Sequence, residues 1–178
     1  MNEGRLSVVL DFPPIARVRR SHALEHATLQ ILSEGHSGFG LMGRSTFHGF
    51  YVYGDVDTKA VVHAAQEGLR RLKAGQREIA IHPSCGSNYV IAGAIAGLGA
   101  FAALGGFIPH RREGILDRLA RFPLAWAVAT VGVILSKPLG AALQAYVTTE
   151  SDMGDLEIHS VIRTERSGTT VHLVRTQG

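Results

Sequence analysis

The sequence predicts an α+β fold in which a small soluble domain, with a mostly antiparallel sheet and two helices, is interrupted by a two-helix transmembrane hairpin. Three patterns support this prediction: helix and strand signals in the first half, two long apolar stretches after them, and a β-hairpin signal at the end. The soluble domain would combine residues 1–88 with residues 147–178, and the membrane hairpin would occupy residues 89–146.

The first 88 residues contain the periodicities of two helices and several strands. Helical spacing of apolar residues predicts a helix over 21–34, begun by Ser21 as its N-cap and stopped by Gly35, and a second helix over 58–74. Alternating and aromatic-rich segments predict strands at residues 5–10, within 38–54 (clearest over 49–53) and at 77–82.

The C-terminal segment predicts a β-hairpin. Residues 156–164 and 169–175 have strand character and flank the turn sequence Glu-Arg-Ser-Gly at 165–168. Because an isolated two-stranded hairpin is not stable in water, we expect it to join the N-terminal strands in one sheet.

The apolar stretches predict two membrane-spanning helices, over 89–108 and 122–146. The first has 20 residues and no charge, which matches the hydrocarbon core of a bilayer at a helical rise of ~1.5 Å per residue. Lys137 is the single charge in the second stretch, and we expect it near the membrane interface, with a tilted or broken helix after Ser136 because Pro138 follows.

Glycines in the first apolar stretch predict close helix packing. Gly93 and Gly97 are four residues apart, a spacing that lets two spanning helices approach each other. This Gly-rich helix could also join two copies of the chain in a homo-oligomer.

The scattered charges exclude a nucleic-acid partner, while the lone cysteine and the absence of a secretory signal favour a cytoplasmic soluble domain. The arginines between the two apolar stretches favour the cytoplasm for that segment, and the basic residues over 70–77 compete with them. The net charge is +3, but the basic residues are scattered, and the cluster over residues 17–20 lacks interleaved aromatics, so we expect it in a solvated or membrane-surface turn. The single cysteine excludes an intrachain disulfide, and the short apolar run broken by Asp11 does not resemble a secretory signal. We therefore expect a multi-pass inner-membrane protein in contact with lipid.

The stretch SHALEHATLQ, residues 21–30, concentrates potential metal ligands on one helix face. At ~100° per residue, His22 and His26 lie ~40° apart and Glu25 lies ~60° to the other side of His22. Two imidazoles at this spacing can bind one Zn²⁺, and a neighbouring glutamate can take the proton of a water that the metal activates. The apolar residues of the opposite face would hold the helix to the core: Leu24, Ala27, Ile31 and the adjoining Thr28.

The turn IHPSCGSN, residues 81–88, is the best source of a further ligand, and the acidic residues that follow the second apolar stretch are the other candidates: Glu150, Asp152 and Asp155. His82 and Cys85 lie three residues apart, and either could complete three protein ligands and leave the fourth position to water. If both joined His22 and His26, the site would be closed and structural.

The order His-x-x-Glu-His resembles the inverzincin motif of the pitrilysin/insulinase metallopeptidases. The segment over residues 44–72, with strands rich in small and aromatic residues and then a helix, is also similar to that group. The resemblance implies that His22 and His26 are metal ligands and that Glu25 is the general base of a peptidase.

Over nearly its full length the chain resembles an uncharacterised family of small bacterial membrane proteins. The motifs HALEHAT, YGDV and HPSCGSN and the glycine-rich apolar hairpin together support this resemblance. It implies the architecture but no activity.

Two functions are consistent with these observations. The first is a membrane-anchored zinc-dependent hydrolase of the metallopeptidase type, acting on a peptide or protein. The alternative is a non-enzymatic membrane protein whose soluble domain binds a metal structurally or docks a partner.

Overall fold

The computed structural model describes residues 8–35, 40–106, 116, 119–166 and 168–178. The chain divides into two compact units, one formed by Met1–His82 with Leu143–Gly178 and the other by Pro83–Ala142. The helices are α1 (Pro13–Gly35), α2 (Thr58–Lys73), a 3₁₀ turn (Arg77–Ala80), α3 (Gly86–Ala103), α4 (Phe122–Leu143) and a π-helical turn (Gln144–Thr148). The strands are β1 (Met42–Thr46), β2 (Gly49–Tyr53), β3 (Glu157–Arg166) and β4 (Thr169–Gln177).

The first unit contains one antiparallel sheet with the strand order β1-β2-β4-β3. The C-terminal hairpin therefore joins the N-terminal strands through β4 and β2, where Phe50 lies opposite Val174. This confirms the predicted α+β class and the antiparallel sheet. Gly168 adopts φ 77° in the β3–β4 turn, a left-handed conformation that favours glycine.

Helices α1 and α2 pack on the sheet and on each other to form the core. Helix α1 contacts β1 and β2, while α2 contacts β3 and β4. Gly68 of α2 allows the close approach, because a Cβ there would stand 3.1 Å from the Cβ of Ala27 on α1. The fully buried apolar side chains at this contact include Leu24, Phe50, Val52, Val61 and Val174.

Helix α1 begins eight residues earlier than the sequence pattern indicates. It starts at Pro13, which suits a first helical position because its missing N–H needs no partner there. Ser21 is therefore not an N-cap but a fully buried interior residue, and the basic cluster at 17–20 is helical rather than a solvated turn. Helix α1 is described as far as Gly35, and residues 36–39, which follow the predicted stop, lie outside the described residues.

Two predicted strands are wrong where the structure describes them. Val8–Leu10 are helical, and residues 5–7 of that predicted strand lie outside the described residues. Residues 77–80 form a 3₁₀ turn, in which Ile79 and Ala80 are both buried and pack beside α1 and α2. Successive side chains of a strand point to opposite faces, so a strand covered on one face could not bury both residues. Tertiary packing therefore overrides the alternating pattern.

Helix α2 and the strands over 38–54 follow the prediction. Asp57 caps α2 by accepting a hydrogen bond from the Lys59 N–H at 2.6 Å, and basic side chains in the last turn oppose the negative end of the helix dipole. The segment over 38–54 resolves into β1 and β2, with β2 at the expected 49–53.

Among the described residues, two helices are long and apolar enough to cross a membrane. Helix α3 has 18 residues with a mean hydropathy of 1.3, and α4 with its π-helical turn has 27 residues with a mean hydropathy of 1.5. Helix α4 runs through Pro138 without the break that was the alternative to a tilt after Ser136, and Lys137 is exposed. The predicted end of the first stretch, at residues 107–108, lies outside the described residues.

Small residues of α4 form the contact between the two apolar helices. A Cβ at Gly132 would stand 3.1 Å from the Ile95 side chain, and one at Gly140 would overlap Asn88. Gly93 and Gly97 face open space instead, so the expected glycine pair is not the contact between these two helices.

The buried His172 predicts a loss of stability in mild acid. Burial and the nearby Arg163 lower the pKa of this imidazole below its usual 6.5, although Asp57 opposes the shift. Its Nε2 lies 3.0 Å from the Thr58 hydroxyl, and its buried Nδ1 has no hydrogen-bond partner in the described part of the chain. Since the unfolded chain binds the proton first, stability should fall as the pH drops below about 6.5.

Thermal unfolding of the detergent-solubilised protein at about pH 7.5 and about pH 5.5 tests this expectation. The His172→Gln variant should have a smaller difference between the two melting temperatures than the wild type. His63→Gln, at an exposed position on α2, is the matched control and should keep the wild-type difference. Equal pH dependence in all three proteins would contradict the assignment.

Candidate metal centre

His22 and His26 lie one turn apart on α1 with their rings in contact. The ring centroids are 4.3 Å apart with an interplanar angle of 60°, and one ring nitrogen of each residue lies within 4.8 Å of the other. This is the arrangement expected from the i, i+4 spacing on a helix. Two imidazole nitrogens at this separation can turn toward a common ion.

Both imidazoles are oriented by backbone carbonyl groups. The Nδ1 of His22 lies 2.9 Å from the Thr148 carbonyl oxygen, and the Nδ1 of His26 lies 2.7 Å from the Ala80 carbonyl oxygen. A carbonyl oxygen only accepts, so each Nδ1 must carry the proton and donate it. In the neutral ring the lone pair is then on Nε2. Metal-binding histidines commonly have this arrangement, in which one ring nitrogen donates to a carbonyl and the other is free to bind the ion.

Of the three polar residues in the α1 motif, Glu25 and His26 are buried and His22 is partly buried. Glu25 is 5% exposed and His26 is 2% exposed, whereas an ordinary solvated helix face would leave both open to water. Burial of a carboxylate and an imidazole is costly unless each is hydrogen bonded or bound to an ion. The burial therefore argues against an incidental surface pair of histidines.

Strand β1 brings two residues against Glu25. The Ser45 hydroxyl donates a hydrogen bond to Oε2 of Glu25, and a side chain at Gly43 would overlap the same carboxylate. Glycine at position 43 is thus needed for close approach rather than for an unusual backbone conformation. These contacts fix Glu25 on the β1 side of the helix.

His82 lies beside His26, and the three histidines His22, His26 and His82 are called the histidine cluster. Its ring centroid lies 5.6 Å from that of His26, and its backbone N–H donates to the Gln144 side-chain oxygen at 2.8 Å. The structure therefore brings three of the predicted residues together in the first unit: His22, His26 and His82.

Cys85 belongs to the second unit and is described within it. It is the N-cap residue of α3, and its buried thiol lies 3.1 Å from the Ser87 hydroxyl. Along the chain it follows His82 by three residues.

Comparison with known proteins identifies the family. The model of the family described as "Domain of unknown function (DUF6391)" matches residues 17–161. The chain belongs to the DUF6391 family.

A relative in Picosynechococcus sp. (strain PCC 7002), described as an uncharacterized protein, is 34% identical over 189 residues. The match covers 97% of this chain and 87% of the relative. No solved structure matches the chain significantly.

Other acidic residues of this DUF6391 protein are held by arginines. Glu67 on α2 accepts hydrogen bonds from Arg70 and Arg71, which lower the pKa of its carboxyl to about 2. Glu150 forms an ion pair with Arg19 at 3.2 Å. The partners of these two carboxylates are arginines, whereas the Glu25 carboxylate accepts a hydrogen bond from the Ser45 hydroxyl.

Sequence patterns did not identify the residues that orient the cluster. The Thr148 and Ala80 carbonyls lie 126 and 54 residues from the histidines they contact, and any residue type supplies such a group. Gln144 gives one usable signal, because it is a polar residue in an otherwise apolar segment and is fully buried. Ser45 and Gly43 give no such signal.

Placing Glu25 against β1 predicts that Gly43→Ala is destabilising. The new methyl group would overlap the Glu25 carboxylate, and overpacking of this kind costs about 1–3 kcal/mol. Gly40→Ala is the matched control, since a Cβ at Gly40 meets nothing within 4 Å. Denaturant unfolding measures both variants, and equal stability of the two would contradict the position of Glu25.

Proposed function

We propose that the protein is a membrane-anchored zinc-dependent hydrolase of the metallopeptidase type. The observation that supports it most is the pair of Nδ1 hydrogen bonds from His22 and His26 to backbone carbonyls. That arrangement assigns the lone pair of both rings to Nε2 and restricts their rotation, as metal binding requires. The motif's resemblance to the inverzincin group supports the peptidase class.

The donor set fits zinc. Imidazole and thiolate suit Zn²⁺, whereas Mg²⁺ and Ca²⁺ take oxygen ligands. His22 and His26 would be two of the protein ligands, and His82 or Cys85 would supply a third. With three protein ligands the fourth position stays open, as catalytic zinc sites require.

Glu25 is the proposed general base. A bound zinc ion would supply a Lewis acid that lowers the pKa of water to about 7. Glu25, which lies between the two histidines along α1, would take the proton of the attacking water and return it to the amine leaving group. The Ser45 hydroxyl would hold the carboxylate in place through its hydrogen bond to Oε2.

A non-enzymatic structural metal site is the second candidate. The observation that favours it is the supply of two further donors, His82 beside His26 and Cys85 three residues later in the chain. Four protein ligands would close the site and leave no position for water. The soluble part would then serve as a docking module.

Metal analysis with matched variants tests both candidates. We expect about one zinc per chain in the wild type, and His22→Ala or His26→Ala should lower zinc affinity more than ~100-fold, because losing a residue that only hydrogen-bonds a metal ligand already lowers the affinity ~10- to 100-fold. Glu25→Gln should keep the metal and lose hydrolysis of internally quenched fluorogenic peptides. His63→Ala, at an exposed position, is the control and should change neither property.

The same assay identifies the third ligand and separates the candidates. Under the hydrolase proposal, either His82→Ala or Cys85→Ser lowers zinc affinity strongly, but not both. A strong loss of zinc affinity in both variants, together with no peptide hydrolysis by the wild type, would favour the structural site. A wild type without stoichiometric zinc would exclude both metal functions.

The membrane part of the proposal places α3 and α4 across the inner membrane, with lipid around them. Both termini would lie in the cytoplasm, so that the metal centre faces peptides or proteins there. Gly93 and Gly97, which face open space on α3, would be available for contact with a second copy of the chain.

A cysteine introduced at position 115, in a Cys85→Ser background, tests this topology. The position lies in the sequence segment between the two apolar stretches, so we expect a membrane-impermeant thiol reagent to label it from outside intact cells. A cysteine placed at the exposed position 63 should be labelled only after permeabilisation. The reverse pattern would place the metal centre outside the cytoplasm.

A further inference from the structure

The π-helical turn after α4 contacts two of the three histidines. The Thr148 carbonyl accepts the hydrogen bond from Nδ1 of His22, and the Gln144 side-chain oxygen accepts one from the backbone N–H of His82. These two residues are the first and last of the turn, which spans Gln144–Thr148. π-Helical turns are rare and often occur at functional sites.

Arg19 of α1 holds this turn in place. Its Nε donates to the Val147 carbonyl at 2.8 Å, and its Nη2 donates to the Thr149 carbonyl at 3.0 Å and to the Tyr146 carbonyl at 3.4 Å. Its Nη1 lies 3.2 Å from Oε2 of Glu150. The guanidinium therefore contacts four residues, two before Thr148 and two after it, which begin within the turn and end just beyond it.

The environment of Arg19 is unusual for an arginine. The residue is only 7% exposed, and burial of a guanidinium is costly unless its donors and its charge are compensated. The backbone oxygens and the Glu150 carboxylate provide that compensation. Lysine could keep the charge but not the planar set of donors that reaches several carbonyls at once.

We infer that Arg19 is a positioning residue of the metal centre, an inference that rests on the proposed function. Arg19 precedes His22 by about one helical turn on α1, so the two side chains lie on the same side of that helix. By holding Val147 and Thr149, the residues on either side of Thr148, Arg19 sets the position of the Thr148 carbonyl and with it the tautomer and orientation of His22. Gln144, at the start of the same turn, extends the effect to the backbone of His82.

Arg20 is a natural control for this inference. It is the next residue on α1, is also an arginine and also anchors the C-terminal segment, through a hydrogen bond to the Asp152 carbonyl at 2.9 Å. Its contacts lie beyond the π-helical turn and beyond Glu150. A general effect of losing an arginine from α1 should therefore appear in both variants, whereas a positioning effect should appear only at Arg19.

The first experiment measures the imidazole tautomers of the metal-free full chain by ¹⁵N NMR of labelled histidine. His22, assigned by the signal lost in His22→Asn, should have a protonated Nδ1 in the wild type and in Arg20→Gln. In Arg19→Gln it should exchange between the two tautomers. An unchanged His22 spectrum in folded Arg19→Gln would overturn the inference.

The second experiment measures zinc affinity by competition with a chelator. Arg19→Gln should weaken binding ~10- to 100-fold, Arg19→Lys less, and Arg20→Gln not at all. In a His22→Ala background, Arg19→Gln should have a much smaller effect, because a double-mutant cycle removes the contribution that the two residues share and leaves only the contribution through His82. A full Arg19→Gln effect in that background, or equal affinities for the Arg19 and Arg20 variants, would contradict a role through His22.

The two experiments separate this inference from the proposed function. A wild type that binds no zinc would refute the proposed function, while the NMR comparison would still decide whether Arg19 orients His22. If Arg19→Gln does not fold, Arg19→Lys carries the same comparison in both experiments. Wild-type tautomer and wild-type affinity in Arg19→Lys would then overturn the inference.

Discussion

Helix α1 carries Glu25 and His26 into the protein interior, where neither side chain can lack a polar partner without a large cost in free energy. The partners come from three separate parts of the chain: Ser45 on β1, the Ala80 carbonyl at the end of the 3₁₀ turn, and the Thr148 carbonyl at the end of the π-helical turn, which holds the neighbouring His22. The position of each of these segments is therefore constrained by the polar residues of one helix.

This constraint explains features of the fold that packing alone does not. The 3₁₀ turn presents the Ala80 carbonyl to His26 while Ile79 and Ala80 enter the core. Gly43 keeps β1 close to α1 where any side chain would meet Glu25. Gln144, fully buried, ties the start of the π-helical turn to the backbone of His82. Under the proposed function these hydrogen bonds share one role, because they orient groups that would bind one ion.

Local patterns in the sequence predicted much of the architecture. The antiparallel sheet, the C-terminal hairpin and α2 follow from alternation, turn residues and helical spacing, which depend on neighbours along the chain. The start of α1 and the 3₁₀ turn did not follow, since Pro13 and the burial of Ile79 beside α1 override the local signals at Ser21 and at residues 77–82. Helical projection placed His22 and His26 side by side, but their carbonyl partners lie 126 and 54 residues away. The buried Arg19 was likewise hidden, because a basic cluster ordinarily faces solvent.

The central claim is that His22 and His26 bind one metal ion through Nε2. The most direct measurement is the zinc K-edge X-ray absorption spectrum of the zinc-loaded full chain, recorded beside that of His22→Ala. The account predicts a four-coordinate site with at least two imidazole ligands at about 2.0–2.1 Å, and a scatterer at about 2.3 Å if Cys85 is a ligand. In His22→Ala, one imidazole should be lost from the spectrum. A wild-type spectrum without imidazole scattering, or one that His22→Ala leaves unchanged, would contradict the claim.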